Sequence, residues 1–228
     1  MAYSRKNKLL FIHIPKNAGK SVEVALDLVP KELVLSPRFR SILNRFSKLL
    51  LKLTSNEMPR EILFGPIDYT LCAQHLTYAE IEMLNLISND QLDDLIVFSI
   101  VRNPYSRAIS TYRHFCGNLD LSEFKDFWSR RFELINDHNK LAHLRTQKSF
   151  LVNPDGRIAV PNLLHFETLE SDLRDFCQSY SLSFDSLPKL GQAHRIDYRE
   201  FYDDEAKNLI SVIFEDDFEA FDYDFDYE

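Results

Sequence analysis

The sequence predicts an α/β fold, a three-layer sandwich on a central, largely parallel sheet. Three observations carry this. Residues 9–14 (LLFIHI) and 95–101 (LIVFSIV) are short, unbroken apolar runs of the kind that become strands buried on both faces. Each leads within a few residues into a segment with helical apolar spacing. Strands that alternate with helices need crossover connections, and these lay helices on both faces of the sheet.

The elements follow in order. After the first run, residues 15–21 form a loop and 21–28 a helix, which Pro30 ends because it has no N–H to give. Residues 68–73 are a second candidate strand. Thr77 caps a helix that runs to residue 86, and Glu80, three positions on, completes a capping box. Pro104 opens a helix to about residue 115, at the first-turn position that tolerates proline. Residues 122–136 form a helix with Phe124, Phe127, Trp128, Phe132 and Ile135 at its apolar positions. Residues 150–160 read as a strand, an Asn-Pro-Asp-Gly turn and a strand. Residues 162–166 are a further strand, and 168–180 and 203–214 are helices. Residues 215–228 alternate acids with aromatics, and the stretch 201–228, with eleven acids and one Lys, reads as a solvated edge with rings tucked beneath it.

The chain of 228 residues suits one sizeable core, hence a single domain over residues 1–228. Its formal charge of −8 argues against a generic nucleic-acid binder, and a polyanionic partner would need a local basic patch. Cys72, Cys116 and Cys177 are too few and too widely spaced for a disulfide framework or a zinc site. They read as small buried hydrophobes in a reducing compartment. Residues 1–8 lack the pattern of a secretory leader, and no stretch reaches the ~20 apolar residues that span a bilayer. A cytoplasmic protein is expected.

Residues 31–60 differ from the rest, with seven basic residues against two acids. Within them Ile42, Phe46, Leu49, Leu50 and Leu53 share one helical face, while Arg45, Lys48 and Lys52 point elsewhere. The segment reads as an inserted lid with its apolar face on the core. Its pattern also suits peripheral contact with an anionic membrane, or an anionic acceptor.

Two motifs carry chemistry. Residues 11–21, FIHIPKNAGKS, take a strand through a tight loop into a helix N-terminus, where backbone N–H groups lack intrahelical partners and favour an anion. Lys16 and Lys20 add charge, Ser21 a hydroxyl, and Gly19 lets the backbone approach closely. The end of the motif matches the Walker A phosphate loop, but Ile14 stands where that loop has its first glycine. The strand best placed to supply a Mg²⁺-holding Asp ends instead in Arg102. Residues 97–113, VFSIVRNPYSRAISTYR, carry Arg102 off the C-terminal edge of the sheet, where α/β folds bind ligands. Ser110 follows about two turns into the next helix. A guanidinium and a hydroxyl there can grip a phosphate.

Together, FIHIPKNAGKS and IVRNPYSRAISTY resemble the two cofactor loops of the sulfotransferases that use 3′-phosphoadenosine 5′-phosphosulfate (PAPS). The closest likeness is to the branch of the heparan 2-O and 6-O enzymes and their bacterial relatives. Weaker likeness continues through residues 162–173 (NLLHFETLESDL) and 198–225. The resemblance implies a P-loop nucleotide-binding fold in which Lys16, Asn17, Ala18, Gly19, Lys20 and Ser21 hold the 5′-phosphosulfate. Arg102 and Ser110 hold the 3′-phosphate, and His194 and Arg195, in a region that folds over the nucleotide in such enzymes, add contacts to it. Two departures stand out: Lys20 replaces a small residue, and 31–60 has no counterpart.

Sulfuryl transfer needs a base for the acceptor hydroxyl and a cation for the departing oxygen. His75, in CAQHLTYAEI, lies where related segments carry the base, and Lys16 is the cation. His13 reads as packed in the first strand; His143, Arg145 and Gln147 could line the acceptor cleft. The implied function is transfer of sulfuryl from PAPS to an acceptor hydroxyl on a saccharide or glycolipid, with PAP as product and without metal. The alternatives are an ATP-dependent small-molecule or nucleotide kinase, and a non-catalytic nucleotide-binding module.

Overall fold

The computed structural model describes residues 2–4, 6–28, 73–84, 87–135, 138–188, 190 and 197–227. The basic segment at 31–60, nearly all of the candidate strand at 68–73, Cys72, His194 and Arg195 lie outside them.

Four strands form one mixed sheet in the order β1-β2-β3-β4: β1 Ala2–Ser4, β2 Leu9–Ile12, β3 Ile96–Val101 and β4 Asn162–His165. β2, β3 and β4 are parallel, with Ile12 opposite Ser99 and Val101 opposite His165. β1 runs antiparallel on the β2 edge, Ala2 against Phe11. This strand carries no sequence signal, because three residues beside a polar turn give no periodic pattern.

Alternation along the strands sends side chains to two cores. Leu10, Ile12, Val97 and Val101 pack on one face with Ile81, Phe150 and Phe221. Leu9, Phe11, Phe98 and Ile100 pack on the other with Val22, Leu173 and Phe176. Helices therefore cover both faces. They are α1 Gly19–Ala25, α2 Tyr78–Met83, α3 Pro104–Cys116, α4 Leu121–Leu134, α5 Leu169–Ser179, α6 Asp204–Ile213 and α7 Glu215–Phe221, with shorter turns at Asn89–Asp93, His138–Leu141 and Lys148–Leu151. A third core joins α3, α4 and α6 through Tyr105, Tyr112, Phe124, Trp128 and Ile210.

The local signals at α2 and α3 behave as expected. Thr77 and Glu80 close the capping box from both sides, at 3.1 and 2.8 Å. Asn103 caps α3 by accepting from the Tyr105 N–H at 3.0 Å, and Pro104 follows it in the first turn.

Three expectations need correction. Residues 150–160 are no regular hairpin: Phe150 and Leu151 end a helical turn, and only the bridge between Val152 and Ile158 spans the Asn153–Gly156 bend. Phe150 and Leu151 both enter the same core, which adjacent residues of a strand, pointing to opposite faces, would not do. The acidic tail holds a helix, α7, and inside it Asp217 is 0% exposed. Cys177 is buried as expected, but Cys116 is exposed at the end of α3. No helix among the described residues is long and apolar enough to cross a membrane.

Candidate active site

β2 delivers the first loop. Past Ile12 the chain turns through Lys16 and Ala18, both in left-handed backbone at φ 72 and 60. Such residues cost of order 1–3 kcal/mol each unless their surroundings hold them. Asn17, between them, is the anchor: its Nδ2 donates to the Ile100 carbonyl and to Gln147 Oε1, both at 2.7 Å. Asn17 is thus turned inward at 1% exposure and shapes the loop, while Lys20 is exposed and Ser21 buried at the start of α1.

Gly19 serves a different purpose from the one its motif suggests. A Cβ there would lie 2.2 Å from His13 Nε2, so the missing side chain makes room for an imidazole. That ring cannot step aside, because His13 Nδ1 donates to Glu23 Oε1 at 2.6 Å from below the loop. Gln74 Nε2 braces the same carboxylate at 3.2 Å. Burial alone would raise the Glu23 carboxyl, but His13 and the Gln74 hydrogen bond bring it below its ordinary value. Gly19→Ala should destabilise the fold by about 1–3 kcal/mol, the usual effect of overpacking. Thermal unfolding checks this, and an unchanged Tm would mean that His13 does not stand there.

β3 delivers the second loop on the same edge. Arg102 donates from Nε and Nη2 to Ser106 Oγ, at 3.0 and 2.8 Å, and from Nη1 to the Lys16 carbonyl at 2.9 Å. Its guanidinium lies 3.9 Å over the ring of Phe166, the residue after β4. The ends of all three parallel strands therefore meet at this side chain. Ser110 lies one turn beyond Ser106 on α3, half-buried. Arg107, 1% exposed, holds the carbonyls of Pro15 and Arg145 at 3.2 and 2.9 Å and ties α3 to the first loop.

The electrostatics mark an anion site. The Lys16 ammonium is pushed down to about 8, first by burial and then by Arg102, Lys20 and Arg113. Four cations crowd one place, and their mutual repulsion is relieved when an anion enters.

Beside them is a row of imidazoles. His75 ends the 3₁₀ turn Ala73–His75, and its Nδ1 lies 3.0 Å from the His13 carbonyl. A carbonyl only accepts, so Nδ1 carries the proton and Nε2 keeps its lone pair. Ring centroids run from His13 to His75 at 4.8 Å, His75 to His143 at 5.3 Å and His143 to His114 at 5.1 Å, the last pair stacked. Burial, then His13 and His143, hold His75 well below the ordinary imidazole range. His114 is lowered by burial and by Lys16 and Lys20, which puts this end of the row beside the cations.

Of the residues singled out from sequence, the structure brings Lys16 to Ser21, Arg102 and His75 to one sheet edge. His13 is packed, as expected, though just past the strand. Gln147 belongs under the loops, at 0% exposure, and not on a cleft wall. Glu23, Ser106 and Asp217 were missed. Ser106 was legible as the hydroxyl one helical turn after Arg102; Glu23 and Asp217 carry no local signal. Among the described residues no group of His, Cys, Asp or Glu is placed to hold a metal ion.

Two basic loops meet at the C-terminal edge of parallel strands in an α/β protein, with an imidazole row alongside. The chain belongs to the Sulfotransferase family, whose model matches residues 1–224. No curated protein and no solved structure matches it. It is a transferase, and its class of reaction is sulfuryl transfer to a hydroxyl-bearing acceptor.

Proposed function

We propose that this chain takes its sulfuryl group from PAPS and places it on a saccharide hydroxyl by in-line displacement. The observation that carries the reading is the convergence of Lys16, Lys20, Arg102 and Arg113 on one sheet edge, where burial first, and then the other three cations, lower Lys16 to about 8. A nucleotide with anionic groups at both its 3′ and 5′ ends fits a site with cations on two separate loops. Residues 16–21 hold the 5′ end, and Arg102 with Ser106 and Ser110 the 3′-phosphate. His194 and Arg195 belong to the nucleotide site by sequence alone.

Bound PAPS supplies an activated sulfuryl group. His75 takes the acceptor hydroxyl proton on Nε2, the nitrogen that the His13 carbonyl leaves free of hydrogen. Lys16, as an ammonium, holds negative charge on the departing oxygen. His114, exposed and stacked on the buried His143, offers the acceptor a ring face at the open end of the row.

Adenosine 3′,5′-bisphosphate (PAP) tests the nucleotide assignment without an acceptor. At about 100 times its Kd, PAP should stabilise the fold by ~2.7 kcal/mol, a rise in Tm of roughly 5–10 °C. ATP with Mg²⁺ should give much less, and the reverse order would point to a kinase. For the basic segment at 31–60 the first reading is a lid, and the second is peripheral contact with an anionic acceptor or membrane. Under the second, neutralising Arg45, Lys48 and Lys52 should remove salt-sensitive binding to vesicles with anionic lipid and leave PAP affinity unchanged. Equal vesicle binding by both forms would refute membrane contact and leave the lid standing.

A further inference from the structure

Gln147 stands where the two anion loops meet, and no step of the proposed reaction uses it. Its side-chain amide has one allowed orientation. Oε1 accepts from the Arg102 N–H at 2.9 Å and from Asn17 Nδ2 at 2.7 Å, and Nε2 donates to the Arg102 carbonyl at 2.7 Å. A flipped amide would set two donors against Nε2 and two acceptors face to face. Bonding both the N–H and the C=O of one residue is what a neighbouring strand does. Gln147 thereby extends the ordered edge one residue past Val101, to Arg102. Its third bond crosses to Asn17, whose other amide hydrogen goes to Ile100.

Gln147 is itself fixed from behind. The Gln147 and Lys148 N–H groups donate to the two oxygens of Asp217 at 2.8 and 2.9 Å. Burial raises the Asp217 carboxyl, opposed by the Arg107 charge and these two donors. The buried acid of α7 is therefore the base on which Gln147 rests.

We propose that Gln147 is a positioning residue that sets the register between the two phosphate-holding loops. A stiff ligand with anions at both ends gains from both subsites only if they are held at its own spacing. One loop carries two left-handed residues and the other is a strand end, so neither fixes the spacing alone. The proposal rests on the PAP-binding reading. A residue that only filled space in the core would affect stability and leave the linkage between the two phosphates unchanged.

The experiment compares PAP with AMP and 3′-AMP by calorimetry on the wild type, Gln147→Met and Gln147→Glu. Methionine keeps the shape and removes all three hydrogen bonds. Glutamate keeps the acceptor oxygen and sets a second oxygen against the Arg102 carbonyl. In both variants the advantage of PAP over AMP should fall about tenfold or more, while each monophosphate changes by less than about threefold. An unchanged advantage in either folded variant overturns the proposal. The wild type gives an independent reading if the variants fail to fold. Coupling is reciprocal, so PAP must tighten the clamp by as much as the clamp favours PAP. Exchange of the Gln147 Nε2 and Asn17 Nδ2 protons, followed by NMR, should slow with PAP and much less with AMP or 3′-AMP. Equal exchange with all three ligands overturns the proposal. A wild type that binds AMP but shows no gain for PAP would remove the PAP reading itself, and this inference with it.

Discussion

Replacing His75 with alanine should lower kcat by roughly 10²–10⁴-fold, the range for losing a positioned general base. PAP affinity should barely change, because His75 serves the acceptor and reaches the first loop only through the ring and carbonyl of His13. The pH profile gives a sharper test. kcat/KM reports the free enzyme, where His75 is active when neutral and its pKa is held well below 6.5. The wild-type rate should stay level as pH falls through 6.5 and drop only at lower pH. Lys16 acts as the ammonium and is lowered to about 8, so the rate should also fall as pH rises through that value. His75→Ala should lose the acid limb and keep the alkaline one; Lys16→Arg should do the opposite. These rates need an acceptor, found by screening glycans, lipids and small alcohols with labelled PAPS. Near wild-type turnover by the His75 variant, with its acid limb intact, would pass the role to another imidazole of the row.

Arg102→Ala should weaken PAP binding by about 2–4 kcal/mol, roughly 30- to 700-fold, from the loss of charge-assisted phosphate contacts. AMP, which lacks the 3′-phosphate, should lose far less. Some loss remains because Arg102 also holds the Lys16 carbonyl. Arg102→Lys should recover little, since one ammonium cannot reach Ser106 Oγ and the Lys16 carbonyl with the fork geometry of a guanidinium. Calorimetry on the folded variants measures this, and equal losses for PAP and AMP would place Arg102 outside the 3′-phosphate site.

What the sequence by itself determined is the set of features that depend on neighbours along the chain. The apolar runs before Lys16 and Arg102 became β2 and β3, since short runs rich in Ile, Val and Phe and bounded by loops suit strands buried on both faces. The Thr77 and Glu80 box and the Asn103-Pro104 start are contacts within four residues, so their spacing predicts them. The sites of the two basic loops and of His75 follow from these elements. Only the tertiary structure decided how the loops are held. Asn17 meets Gln147 across 130 positions, and Gln147 meets Asp217 across 70. The reason Gly19 must be glycine is the ring of His13 seated against it, pinned by a carboxylate ten residues from that ring. Composition marked the tail as solvated because its acids outnumber its bases, yet packing buries Asp217, since two backbone N–H groups and a nearby guanidinium compensate its charge. Burial and pairing of a single polar group depend on what the fold brings from far along the chain, and no local pattern contains that information.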